Sequence, residues 1–165
     1  MATSMVPVFS VIIPTRDRPE YLSEAIASVL AQDLAALVVL VVNDGSLPIA
    51  AQTDPRVRIF DNQKCGLNPA RNLAVQNSGG QFIAFLDDDD VWTDLNFLSR
   101  AAAGLQANGG FYFADGMMRF ADGTAKLFSR DATAASLAQD NTILISALCY
   151  EKKLQIGRAS CRERV

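Results

Sequence analysis

Six consecutive apolar residues, Leu37-Val-Val-Leu-Val-Val42, run straight into Asn43-Asp-Gly-Ser46. A β-branched run with no polar alternation leaves no face for water. It predicts a strand covered on both sides, as in a parallel sheet between two layers of helix. Two further runs behave alike. Phe9-Ser-Val-Ile-Ile-Pro14 is stopped by proline, and Gln81-Phe-Ile-Ala-Phe-Leu86 ends on four aspartates, Asp87 to Asp90. Helical patterns fall between them. Leu22, Ala25, Ile26, Val29 and Leu30 repeat at helical spacing over Glu20 to Ala31, with Pro19 suited to a first turn. Asn68 to Asn77 reads as a helix capped by Asn68 with Pro69 at its first position, and Thr93 or Asp94 caps another reaching Ala107. Arg56 to Phe60 and Phe111 to Met118 read as strands, Asp122-Gly123 as a hairpin turn, Asp131 to Gln139 as a short helix and Thr142 to Tyr150 as a last strand. Strands alternating with helices predict an α/β fold, one domain with a mostly parallel sheet flanked by helices, and incomplete.

Composition narrows the chemistry. The 165 residues include no histidine, which removes Ser-His and Cys-His triads, histidine bases and histidine metal sites together. Cys65, Cys149 and Cys161 lack CxxC spacing, so no zinc site or disulfide framework is expected and a reducing compartment fits. A formal net charge of -3 argues against a nucleic-acid binder with a basic face. The first residues lack the basic stretch of a signal peptide, and Leu34 to Val42 is too short to span a bilayer. A cytoplasmic location is therefore expected.

In open parallel sheets ligands bind beyond the carboxyl ends of the strands. Three polar clusters lie there: Thr15-Arg-Asp-Arg18, Asn43-Asp-Gly-Ser46 and Asp87-Asp-Asp-Asp90. Four adjacent carboxylates repel, and a divalent cation relieves that repulsion. Oxygen donors without histidine or cysteine select Mg²⁺, Mn²⁺ or Ca²⁺. The plain alternative is an acidic loop with Asp94 capping the next helix. Asp44 reads either as a turn residue or as an acceptor for a base or ribose. Neither GxGxxG nor a P-loop is present, so a bound diphosphate would need a metal and a cation, for which Arg71 is the candidate. Its plain alternative is a solvated surface arginine.

Taken together, Phe9-Ser-Val-Ile-Ile-Pro-Thr-Arg-Asp-Arg-Pro-Glu-Tyr-Leu22, Val41-Val-Asn-Asp-Gly-Ser46, Gly66-x-x-x-Ala-Arg-Asn72 and Phe82-Ile-Ala-Phe-Leu-Asp-Asp-Asp-Asp-Val-Trp92 resemble family 2 glycosyltransferases of the GT-A fold, in order and in spacing, from about Phe9 to Lys153. The resemblance implies a Rossmann-like nucleotide-binding half followed by an acceptor-binding half. It also implies transfer of a sugar from a nucleoside diphosphate sugar, a UDP-sugar first, usually with inversion and with Mn²⁺ or Mg²⁺. By the resemblance, Pro14, Thr15 and Arg16 line the base and ribose, and Asp44 hydrogen-bonds one of them. Arg71 approaches the diphosphate or uracil side. Asp87 and Asp89 form the DXD element, with Asp88 beside them on the nucleotide and Asp89 the first choice as metal ligand, Asp88 being the alternative. Asn43 stands where aspartate is commoner. The implied acceptor is a glycan or lipid-linked glycan, with room for peripheral membrane association through parts outside this chain.

An inverting transfer needs a general base. In the family this is an acidic residue after a Gly-Gly-Phe-Asp-like segment, and Ile143 to Leu154 resembles the stretch leading up to it. The base is thus expected beyond residue 155. The closing Ile156-Gly-Arg-Ala-Ser-Cys-Arg-Glu-Arg-Val165 changes character abruptly and resembles a sequencing-adapter oligonucleotide translated in frame. The expectation is a donor-binding part over 1–155, truncated, and a non-native tail over 156–165. Two other readings compete: a non-catalytic nucleotide-binding module, and a metal-dependent nucleotidyltransferase or phosphohydrolase.

Overall fold

The computed structural model describes residues 7–120, 122–129 and 143–154. Its elements follow the alternation closely. They are β1 (Phe9–Thr15), α1 (Pro19–Leu30), β2 (Leu37–Asn43), β3 (Val57–Asp61), α2 (Leu67–Gln76), β4 (Phe82–Phe85), α3 (Phe97–Asn108), β5 (Phe111–Phe113), β6 (Gly116–Arg119), β7 (Ala125–Phe128) and β8 (Leu148–Glu151). The expected helix over Asp131 to Gln139 and the tail over 156–165 lie outside the described residues.

Six strands form one sheet in the order β3-β2-β1-β4-β8-β5, and β6 and β7 make a separate antiparallel ribbon. β3, β2, β1 and β4 are parallel, with Phe9 to Thr15 opposite Leu37 to Asn43 and Phe9 to Ile12 opposite Phe82 to Phe85. β8 runs antiparallel to both β4 and β5. The strand order therefore reverses between β1 and β4, the switch point of an open α/β sheet.

The two apolar layers explain the uninterrupted run Leu37 to Val42. Val39 and Val41, with Val11, Ile13 and Ala84, pack toward Leu22, Ala25, Ile26 and Val29 of α1 and Leu98, Ala101 and Leu105 of α3. Val38, Leu40 and Val42, with Ile12, Ile83 and Phe85, pack toward Ala70, Ala74 and Val75 of α2. Every residue of the run is buried because consecutive side chains serve opposite layers. Pro14 fits inside β1 for a related reason. Leu86 donates its N–H to the Ile12 carbonyl and Asp44 to that of Thr15, so the Pro14 nitrogen is on the β4 side, past the end of the β4 ladder.

Three local expectations are corrected. Helix α2 starts at Leu67 with Gly66 at its cap, so Asn68 is not the cap and Pro69 sits third in the helix, where no intrahelical N–H is missing. Helix α3 starts at Phe97; Asp94 instead accepts the Asn96 N–H (3.0 Å) in the turn before it. The single strand over Phe111 to Met118 is two, β5 in the main sheet and β6 in the ribbon, and the Asp122-Gly123 turn closes that ribbon with Gly123 at φ 84°. Cys149 is a free thiol in the core, its pKa pushed up by burial. Among the described residues no helix is long and apolar enough to cross a membrane.

Candidate functional site

The carboxyl ends of β1, β2 and β4 bring the three polar clusters to one edge, and β3 and α2 add to them. At the centre is Asp88, buried to 6 % exposure. Its Oδ2 accepts the Thr15 hydroxyl at 2.7 Å, and its Oδ1 faces the Arg18 guanidinium at 3.3 Å. The same Arg18 nitrogen, Nη1, donates to Asp89 Oδ2 at 2.8 Å. On the other side of the loop Arg71 Nη2 donates to Asp87 Oδ1 at 2.6 Å. Ser146, just before β8, braces the loop from behind. Its hydroxyl accepts the Asp87 N–H at 3.0 Å, and its carbonyl accepts the Trp92 indole N–H at 2.6 Å.

Asp44 lies at the end of β2 and is also buried. Its Oδ1 accepts Asn62 Nδ2 at 2.7 Å and the Gly66 N–H at 2.9 Å. The carboxylate therefore ties the end of β2 to the start of α2, the helix that carries Arg71. Asp17 does parallel work on the neighbouring loop: its Oδ1 accepts the N–H groups of Ser46 and Leu47 at 2.7 and 2.8 Å. These two bonds hold its carboxyl below the usual aspartate range. Asp90 moves the other way. Desolvation of its carboxyl, aided by the charges of Asp89, Asp87 and Asp88 and opposed by a hydrogen bond from Ser146, raises its pKa.

Of the residues singled out in the sequence, Thr15, Asp44, Arg71, Asp87, Asp88 and Asp89 converge here. Pro14 is buried within β1, behind the edge. Arg16 is exposed and makes no ion pair or side-chain hydrogen bond among the described residues; Arg18, two residues on, holds the aspartate loop instead. Sequence reasoning placed Arg18 in the right cluster without giving it a role. It named Trp92 within a motif without giving it a role, and it missed Asn62 and Ser146. For Ser146 no local signal exists, since its bonds span 59 and 54 positions. A cavity of about 230 Å³ opens on the α1 side, between Thr15, Arg18 and Leu22 and the segment containing Asn43, Leu47 and Ile49. It takes in none of Asp44, Arg71, Asp87 or Asp89.

The donor set can be tested against a divalent cation. Among the described residues no group of three or more His, Cys, Asp or Glu side chains could hold a metal alone. Asp87 and Asp89 are nonetheless hard oxygen donors on an open edge, with side chains 32 % and 52 % exposed, and each has one oxygen free of a protein partner among the described residues. Mg²⁺-type ions are commonly held by one or two carboxylates completed by substrate phosphates. Among the described residues the buried Arg71 Nε has no hydrogen-bond partner, an orphaned donor on the arginine that pairs with Asp87. The residues fit a metal shared with a phosphorylated ligand rather than a closed protein cage.

The family model for glycosyl transferase family 2 matches residues 10–155. The chain belongs to glycosyl transferase family 2. An uncharacterized glycosyltransferase of Rickettsia felis is 40 % identical over 89 residues, covering 50 % of this chain and 15 % of the relative. The UDP-Glc:alpha-D-GlcNAc-diphosphoundecaprenol beta-1,3-glucosyltransferase WfgD of Escherichia coli is 36 % identical over 89 residues, 50 % of this chain and 35 % of that protein. The family 2 chain thus spans well under half the length of either relative. Among solved structures, residues 1–349 of TarS from Staphylococcus aureus superpose with a TM-score of 0.62 over 88 % of this chain and 47 % of that one, at 22 % identity. The same protein in complex with UDP-GlcNAc matches with a TM-score of 0.50 at 27 % identity, over 60 % of this chain and 31 % of that one. The mannosyltransferase PcManGT of Pyrobaculum calidifontis, in complex with GDP-Man and Mn²⁺, matches at 0.56 and 22 % identity over 64 % of this chain and 34 % of that one. These likenesses agree with the mostly parallel, helix-flanked sheet described above.

Proposed function

We propose that this family 2 chain is the donor-binding part of a glycosyltransferase. It binds a nucleoside diphosphate sugar, a UDP-sugar first, at the edge where β1, β2 and β4 end, together with Mn²⁺ or Mg²⁺. The observation that carries the reading is the convergence of Asp44, Arg71 and Asp87–Asp89 on that edge, at the switch in strand order. WfgD, named for a UDP-Glc donor, and TarS in its complex with UDP-GlcNAc support UDP. The complex of PcManGT with GDP-Man and Mn²⁺ supports a divalent ion.

In this reading Asp89 and Asp87 hold the ion through their unengaged oxygens. Asp88, with both oxygens engaged by Thr15 and Arg18, acts as the anchor of the loop rather than as a ligand. Asp44 meets the base or ribose with its second oxygen, and Thr15 and Arg16 flank the same group. Arg71, stacked over Phe85 with its Cζ 5.7 Å from the ring centroid, offers Nε to the diphosphate. A divalent ion held there would supply charge stabilisation for a departing nucleoside diphosphate. The whole protein would transfer the sugar with inversion to a glycan or lipid-linked acceptor, as the diphosphoundecaprenol-linked acceptor in WfgD's name suggests, and would do so at the cytoplasmic face of a membrane. A base beyond residue 155 would take the acceptor's proton.

Calorimetric titration of UDP into the chain, with Mn²⁺ and then with chelator, tests the donor site. Binding that needs Mn²⁺ and falls by about tenfold or more in Asp89→Asn is expected, the scale of losing a charge-assisted ligand contact. UDP binding indifferent to both would overturn the metal assignment.

A further inference from the structure

The donor reading uses Arg18 only as a partner of the anchor Asp88, yet this arginine makes the closest cationic approach to Asp89 among the described residues. One nitrogen, Nη1, bridges Asp89 at 2.8 Å and Asp88 at 3.3 Å. These carboxylates in turn hold the guanidinium still more firmly in its charged form. The Arg18 side chain is 50 % exposed, and among the described residues its Nε and Nη2 have no hydrogen-bond partner. The backbone leaves it little choice of place. Arg18 is the cap residue of α1, preceded by Asp17 in the left-handed region at φ 56° and followed by Pro19. Its stem therefore starts at the junction that faces the aspartate loop.

The two carboxylates are not equivalent. Asp88 is buried and also held by Thr15, so it keeps a partner if Arg18 leaves. Asp89 is exposed, and among the described residues Arg18 is its sole hydrogen-bonding partner. A half-exposed ion pair of this kind is weak and exchanges readily. A divalent ion at Asp89 meets that arginine first, because a guanidinium and a metal on one carboxylate repel.

We propose that Arg18 is a displaceable counter-cation of the aspartate loop: it neutralises Asp89 while no metal is bound and must release that carboxylate for a divalent ion to bind. The inference rests on the donor reading above, in which Asp89 is a metal ligand. Arg18 is a positioning residue in this scheme. It keeps four adjacent carboxylates in a single loop conformation, at the expense of metal affinity.

The test uses Mn²⁺ alone, with the free ion followed by its paramagnetic resonance, on the 165-residue chain. Wild type is compared with Arg18→Gln, Arg16→Gln, Arg18→Lys and Asp89→Asn. Arg16→Gln removes the same charge from the same loop without touching a carboxylate. Arg18→Gln is expected to bind Mn²⁺ about threefold or more tighter than both wild type and Arg16→Gln, the scale of losing a competing half-exposed pair. Arg18→Lys, which keeps the charge but replaces the fork with a point donor, falls between them and decides the matter should Arg18→Gln fold poorly. Equal tightening in Arg16→Gln and Arg18→Gln, or none in Arg18→Gln and Arg18→Lys, overturns the inference while leaving the donor reading intact. Failure of every protein to bind Mn²⁺, with or without UDP, overturns the metal reading and this inference with it.

Discussion

Asp17 has a backbone that most residues avoid, at φ 56°, and a carboxylate that receives two backbone N–H bonds from the loop after β2. Those bonds favour the charged form, so the folded-state pKa lies below the unfolded value. The stability they give is present above the ordinary aspartate pKa of about 4 and is lost as pH falls through the folded value. Asp17→Asn keeps a residue that tolerates the left-handed region and keeps an acceptor, but a neutral one. Its melting temperature should lie below that of wild type at pH 7, and the gap should start to narrow below about pH 4, where the unfolded chain takes up the proton, and close as pH falls through the lowered folded value. A gap independent of pH would show that the carboxylate charge does no work there. At this scale the sequence was legible in part. The cluster Thr15 to Arg18 could be assigned to the ligand edge from its place after an apolar run. Which of its two arginines reaches the aspartates could not, because that depends on the turn at Asp17 and on α1 beginning at Pro19.

Helix α2 shows the same limit one level up. Its sequence offers Asn68 and Pro69 as start signals, and the structure passes over both. Gly66 sits at φ 99° and ψ 170°, a region open to glycine, and its N–H is bound by Asp44 from 22 positions away. The helix start is set by a tertiary contact, which no local pattern encodes. Gly66→Ala meets no atom within 4 Å, so any effect is one of backbone conformation. The expected cost is about 1–3 kcal/mol in urea denaturation, with the slope of the transition unchanged. Because α2 carries Arg71, the same substitution should weaken UDP binding beyond what Asn68→Ala does. Stability equal to wild type would mean that residue 66 relaxes freely and that Asp44 does not set the start of the helix. The split of β5 from β6 has a similar origin: the aromatic run Phe111-Tyr-Phe113 pairs with β8, whose arrival from far along the chain decides where the main sheet ends.

For the molecule as a whole, the parallel core was predictable because Leu37 to Val42, Phe9 to Pro14 and Gln81 to Leu86 each demand cover on both faces. A last strand and the Asp122-Gly123 turn were legible too, but the antiparallel direction of β8 and the departure of β6 from the main sheet were not, since short strands at a sheet margin carry little periodicity. That margin carries several exposed apolar side chains. Phe111 is 62 % exposed on edge strand β5, beside Tyr150, while Met117 and Leu127 face each other across the ribbon at 58 % and 59 %. Among the described residues β5 pairs with β8 on one side only, so its outer backbone groups have no strand partner there. Exposed apolar side chains of this kind bind hydrophobic probes and promote association when they cluster. The folded chain should therefore bind an anilinonaphthalene dye under conditions where its melting transition remains cooperative. It should also sediment faster as concentration rises. Replacing Phe111, Met117 and Leu127 together by threonine, which suits strands, should reduce both effects while changing the melting temperature by only a few degrees, since none of the three is buried. If dye binding survives the triple substitution, the exposed apolar surface lies elsewhere, and the margin formed by β5 and the ribbon is not what the rest of the fold leaves uncovered.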